Sequence, residues 1–235
     1  HRLRRIDAWL ILPAIVLASG TLVFAALLFY SYLRSDMPSV EQLENFEPEL
    51  STKLVDHRGE VIKELFTQRR FYVPLSAIPL PVKQAFIAVE DHKFYDHWGV
   101  RPSALIGAFV KNVWRLDFHF RGASTITQQL ARNLYYSSQR TLIRKMREVL
   151  TAIEIERYYS KDEILEMYLT LTYFGSGSYG VAAAAQTYFS KTVSDLSVEE
   201  GALLAAIPKS PSKFNPISNP ENAIARRNVV LWRMY

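Results

Sequence analysis

The strongest constraint on this chain is Ala8 to Tyr30, AWLILPAIVLASGTLVFAALLFY, 23 residues without a charge. As a helix it would be about 35 Å long, enough to cross a hydrocarbon core of about 30 Å. Arg2, Arg4 and Arg5 precede it. Basic residues stay on the cytoplasmic side of a span, so 1–7 is expected as a cytoplasmic tail and 8–30 as a transmembrane helix, with the rest extracytoplasmic. Trp9 and Tyr30 stand where interfacial aromatics belong. A cleaved signal peptide has a shorter apolar region, about 7–15 residues, so an uncleaved anchor is the better reading. The chain opens with His rather than Met, as a fragment or processed form would.

Beyond the anchor, the remaining length suits one domain with a single core. With 49% apolar and 22% charged residues, the chain is not intrinsically disordered. The absence of cysteine excludes disulfides and thiolate zinc sites. The net charge of +5 suits an anionic partner: nucleic acid, anionic lipid or a phosphorylated substrate.

Residues 31–50 are polar and acidic with two prolines and are expected to be a linker. KLVDHRGEVIKELF then alternates on both sides of Arg58-Gly59, a hairpin signal. From Pro81 onward helical spacing dominates. Val82 to Glu90 places apolar residues at 82, 85, 86 and 89. Ser103 to Trp114 is expected to be a second helix. Thr125-Ile-Thr-Gln128 has the form of a capping box opening a third toward Tyr135. Thr141 to Tyr159 is a fourth, with Leu142, Met146, Val149, Leu150 and Ile153 on one stripe. Ser160-Lys-Asp-Glu163 and Ser197-Val-Glu-Glu200 are further capping boxes, the second opening a helix that must end before Pro208. Val181–Tyr188 and 220–235 are also helical. The fold class is therefore mainly α with a small N-terminal β element.

Four stretches could carry chemistry. AVEDHKFYDHWG, Ala88 to Gly99, crowds acids, histidines and rings; it is a surface turn, a metal site or an acid/base centre, with a metal on His92 and His97 the weakest of these. GASTITQQLARNLY, from Gly122, puts hydroxyls and free N–H groups at a helix start, which suits an anion such as phosphate. On RTLIRKMREVL, Arg140, Arg144 and Glu148 lie four apart on one helix face, with Lys145 three before Glu148. From the spacing alone, a run of surface ion pairs is a better reading than a cationic track beside a carboxylate. LIGAFVKNVWRLDFHF is aromatic, amphipathic and basic, fitting either the core or the bilayer interface.

Together these segments resemble the peptidoglycan glycosyltransferases, glycosyltransferase family 51, over about Phe86 to Tyr235. Five motifs stand in the family order: EDHKFYDHWG, GASTITQQ, RKMRE, KDEILEMYLTLTYFG with GVAAAAQTYF, and AAIPKSPSKFNP. STKLVDHRGEVI and QRRFYVPL look more like the entry to the class A, bifunctional penicillin-binding proteins, which carry a transpeptidase domain after this point, than like the shorter monofunctional enzymes. Ser210-Pro-Ser-Lys213 has the spacing of that domain's nucleophile motif but no partner motif, and is read as coincidence.

The resemblance implies a lysozyme-like glycosyltransferase domain over 51–235, with a membrane-dipping jaw at about 103–122. It implies joining of lipid II to a growing lipid-linked glycan with inversion and release of undecaprenyl diphosphate, as part of cell-wall synthesis at the bacterial inner membrane. Glu90 would be the base and Glu148 the second catalytic carboxylate. Ser124, Thr127, Gln128, Gln129, Arg132, Arg140, Arg144 and Lys145 would bind substrate. Asp91, Phe94, His97 and Gly99 would support Glu90. A divalent cation, Mg or Mn, is implied by the family alone. Implied partners are lipid II, membrane lipid and other cell-wall synthesis proteins, with no role for nucleic acid. One departure stands out: the family's tyrosine-leucine-asparagine is Tyr168-Leu169-Thr170 here. A lysozyme-like glycan-cleaving enzyme and an inactive membrane scaffold are the rival readings.

Overall fold

The structure, a computed structural model, describes residues 8–44, 51–58, 61–65, 68–103, 107, 124–136 and 141–235. Nine helices are named among these residues: α1 (Ala8–Arg34), α2 (Val40–Glu44), α3 (Leu80–Glu90), α4 (Ile126–Tyr135), α5 (Leu142–Tyr158), α6 (Lys161–Leu171), α7 (Gly180–Phe189), α8 (Val198–Ala206) and α9 (Pro220–Met234). Two small sheets accompany them. Strands β1 (Thr52–Val55) and β2 (Val61–Leu65) pair antiparallel, as the alternation across Arg58-Gly59 predicts, and Gly59 itself lies outside the described residues. Strands β3 (Arg69–Arg70) and β4 (Ser178–Tyr179) pair in parallel over two residues, too short for periodicity to reveal.

Local signals account for most helix ends. Ser160 and Ser197 each accept from the N–H three residues on, and Glu163 and Glu200 return the bond to the cap N–H, two complete capping boxes. Thr125 caps α4 through the Gln128 N–H, but the reciprocal bond is not made, because Gln128 turns its amide toward Lys145 instead. α1 runs four residues past Tyr30, and α2 occupies part of the expected linker; no strong breaker comes before Pro38.

The core centres on Phe86, whose ring meets Tyr168 and Phe174 edge-on at 6.5 and 5.8 Å. Burying a side chain of that size stabilises the fold by about 2–3 kcal/mol. Val82, Ala85 and Val89 extend the same face of α3 into the core with α8 and α9. Gly180 opens α7 at φ +82°, where a Cβ would sit 2.4 Å from the Thr170 carbonyl oxygen; only glycine allows that approach.

The α5 stripe departs from expectation. The buried face is Glu148, Thr151, Ala152 and Ile155, whereas Leu142 and Met146 are exposed. An apolar stripe marks a face that avoids water, but it does not show whether protein or lipid covers it.

Candidate active site

Glu90 is the last residue of α3, reached directly from the buried Val89. Burial raises its carboxyl above the usual range. The Gln129 amide and the positive Arg226, Arg132 and Lys209 pull it partly back. The carboxylate also sits at a helix C-terminus, where the backbone dipole disfavours negative charge. Gln129 Nε2 donates to Glu90 Oε2 at 2.8 Å. Tyr168 fixes that amide's orientation by donating to Gln129 Oε1 at 3.4 Å; burial and the nearby Glu90 charge hold its hydroxyl protonated far into the alkaline range. From α9, Arg233 Nη1 donates to the Val89 carbonyl at 3.0 Å, gripping the end of α3 one residue before Glu90.

Asp91 is 1% exposed and joins three pieces of chain. It accepts the Ile126 N–H at the start of α4 (3.1 Å) and the His97 Nε2–H (2.8 Å), and Arg101 Nε lies 3.5 Å from its other oxygen. The Gly99 N–H donates to His97 Nδ1, so the proton must be on Nε2, aimed at Asp91. Gly99, at φ +88°, then passes its carbonyl to the Thr125 hydroxyl at 2.6 Å. Phe94 is fully buried under Lys161, whose ammonium lies 4.5 Å from the ring centre and 2.7 Å from Glu156, which in turn accepts the Thr127 hydroxyl. These residues fix α4 against the loop after Glu90. His92 is exposed and faces Arg101 at 3.3 Å, so the two histidines of the motif serve different neighbours.

α4 presents Gln129 to Glu90 and, one residue earlier, Gln128 to Lys145, the partner of the second carboxylate. Lys145 Nζ donates to Ser124 Oγ (2.7 Å), Gln128 Oε1 (3.1 Å) and Glu148 Oε2 (3.2 Å). Arg144 Nη1 holds the other oxygen of Glu148. Burial lowers Lys145 to about 8, helped by repulsion from Arg132 and Arg144, which is unusual for a lysine that remains paired. Gln128 Nε2 is buried without a partner among the described residues, a donor beside a cationic cluster. Such a set suits an anion with several oxygens. The acids here are already engaged by these donors, and no three His, Asp or Glu side chains gather among the described residues. As placed, they do not fit a divalent cation, and the chemistry below uses none.

Sequence reasoning brought together Glu90, Gln129, Ser124, Gln128, Lys145, Arg144 and Glu148; Arg132 acts electrostatically on both halves. It missed Lys209, which follows α8, and Arg226 and Arg233 on α9; they reach Glu90's neighbourhood because α8 and α9 both pack on α3. No spacing signal links residue 90 to residues 209–233. Arg140 and most of the expected jaw at 103–122 lie outside the described residues. Thr170 is 3% exposed, and its Oγ1 has no partner among the described residues.

The helical domain has a counterpart among known proteins: residues 58–235 match the transglycosylase family, and the chain belongs to it. The match begins upstream of Phe86, so it takes in the β2 strand and the β3 region as well. Penicillin-binding protein 1A of Aquifex aeolicus is 46% identical over 220 residues, 94% of this chain and 30% of that protein. Its namesake from Escherichia coli is 47% identical over 206 residues (87% and 24%), and penicillin-binding protein 1F of Bacillus subtilis 46% over 184 (78% and 26%). The chain thus spans less than a third of the length of these relatives. A crystal structure of penicillin-binding protein 1A from Haemophilus influenzae at 2.6 Å resolution aligns with 81% of this chain and 19% of its own, at 29% identity and a TM-score of 0.44.

Proposed function

We propose that this chain polymerises lipid II into β-1,4 glycan strands at the outer face of the bacterial cytoplasmic membrane, with α1 as its single, N-in anchor. One observation carries the reading. Adjacent glutamines of one helix, α4, serve the two carboxylates: Gln129 donates directly to Glu90, which burial raises, and Gln128 accepts from Lys145, which clamps Glu148. Arg2, Arg4 and Arg5 before α1, and a helix long and apolar enough to cross a membrane, support the orientation.

In the reaction, the acceptor's 4-hydroxyl oxygen attacks the donor's anomeric carbon from the face opposite the lipid diphosphate. Glu90 takes the hydroxyl proton as that bond forms, for which its raised affinity for protons is suited. The bond to the diphosphate oxygen breaks, and negative charge builds there. Lys145, Arg144 and Arg132 meet that charge, with Ser124 and the open Gln128 amide as hydrogen-bonding groups. Glu148 positions Lys145 and Arg144 while leaving the cluster net positive. A glycan-cleaving enzyme has a neutral sugar leaving group and no use for such a cluster.

The test is labelled lipid II presented to the purified protein in vesicles. Glycan should lengthen, and Glu90→Gln should slow it by about 10²–10⁴-fold. Degradation of finished glycan without elongation would establish the cleaving alternative, and no turnover of either would leave a scaffold.

A further inference from the structure

The extracytoplasmic end of α1 does not hang free. The last carbonyls of a helix lack intrahelical donors, and here a side chain from α5 reaches two of them, of which that of Tyr32 also accepts the Ser35 hydroxyl at 2.8 Å. Arg147 Nε donates to the Leu33 carbonyl at 3.2 Å and Nη2 to the Tyr32 carbonyl at 3.1 Å. Its Nη1 lies 2.6 Å from the Asp36 carboxylate, and its Cζ lies 5.2 Å from the centre of the Tyr32 ring. The guanidinium therefore caps a helix C-terminus from another element, with the favourable sign for the helix dipole and the rigid fork that two adjacent acceptors require. Its side chain is 12% exposed, so water competes little for these bonds. Two turns further along the same face of α5, Glu154 holds Arg34 at 3.4 Å. Leu33 is buried, and the chain beyond is strapped down where the Tyr135 hydroxyl donates to the Gln42 carbonyl and the Tyr159 hydroxyl to that of Leu43.

Residue 147 is next to Glu148 on α5, and the carbonyls it grips close the apolar span. The Lys145–Glu148 cradle, within one turn of Arg147 on α5, is thereby tied to the top of that span. The polar headgroup layer occupies roughly the 5–7 Å beyond each side of the hydrocarbon. A lipid's diphosphate lies at this height. The exposed Leu142 and Met146, one turn apart at the start of α5, are what a helix end lying against lipid would carry.

We propose that Arg147 is a positioning residue that locks the anchor to the α5 helix and so fixes the height and tilt of the diphosphate cradle over the bilayer. This rests on the membrane-bound glycosyltransferase reading above. It makes a demand that a purely structural salt bridge does not: the lock should matter when substrate and anchor share one plane, and not otherwise.

The chain has no cysteine, so spin labels can be placed at Leu22→Cys in the anchor and Tyr158→Cys on α5 of the whole protein in vesicles. The parent should show one narrow distance, and Arg147→Ala a broad distribution. The KM for lipid II in vesicles should rise about tenfold with kcat changed less than about twofold. In detergent micelles, where no common plane exists, KM should not move. Arg147→Lys, which keeps charge but loses the fork, should restore only part of the vesicle KM. Asp36→Asn perturbs the lock from a carboxylate whose side chain is 66% exposed, and should broaden the distances to an intermediate degree. An equally narrow distribution in Arg147→Ala, or a KM that moves alike in vesicles and micelles, overturns the proposal. A parent protein that elongates nothing in either medium would remove the glycosyltransferase reading instead, while the distance widths still decide whether the lock exists.

Discussion

Lys145 offers the sharpest quantitative prediction. Its ammonium is held to about 8, by burial first and then by repulsion from Arg132 and Arg144. At pH 7 it would be about nine-tenths charged and at pH 9 about one-tenth, whereas an ordinary lysine stays about 97% charged at pH 9. If its charge meets the leaving diphosphate, the elongation rate should fall about tenfold between pH 7 and pH 9. The acid limb should belong to Glu90, with rate rising as pH passes through its raised value. Lys145→Arg keeps a cation that does not titrate in this range, so the alkaline fall should disappear even if the absolute rate drops. Stability should move the other way. Between about 8 and 10.5 the unfolded chain binds more protons than the folded one, so folding becomes more favourable as pH rises through that window. The full window corresponds to about 3 kcal/mol. The assay is initial-rate elongation of lipid II from pH 5.5 to 10 at constant ionic strength, with denaturant melts at the same points. A parent rate that holds to pH 10, or an alkaline fall that survives in Lys145→Arg, would falsify the assignment of that limb to Lys145.

Two further substitutions test the supporting structure. Gly99→Ala places a Cβ 2.7 Å from the Ala152 carbonyl oxygen at a φ of +88°, so it should cost about 2 kcal/mol or more in a denaturant melt and lower the rate by loosening the loop after Glu90. An unchanged melt would mean that this loop is not held as described. Thr170→Val removes a buried hydroxyl that has no partner among the described residues while keeping shape, and should stabilise the chain by about 1 kcal/mol with elongation unaffected. Destabilisation would show that the hydroxyl is satisfied after all, by water for example.

Much of the fold was legible because its signals are local. The capping boxes at Ser160 and Ser197, the break at Pro208 and the 82/85/86/89 stripe each act within a turn or two of chain, and each appears in the helices they announce. The α5 stripe shows where this stops. Leu142 and Met146 obey helical periodicity, yet the protein buries Glu148 and Thr151 instead, because α4 packs on α5, with Gln128 and the preceding Ser124 reaching Lys145. Periodicity reports that a face avoids water and is silent about what lies against it.

By itself, the sequence determined the long apolar first helix, the order of the described helices and the residue types at the site: a glutamate ending an apolar helix, hydroxyls and glutamines opening another, and two cations beside a second glutamate. Tertiary structure alone decided how those groups act. Desolvation depends on every neighbouring element, so the raised Glu90 and the lowered Lys145 follow from packing rather than from spacing. Arg233 reaches Val89 across 144 positions, and Arg147 reaches Leu33 across 114. Contacts of that span leave no periodic trace in a chain, because they depend on where whole helices come to rest.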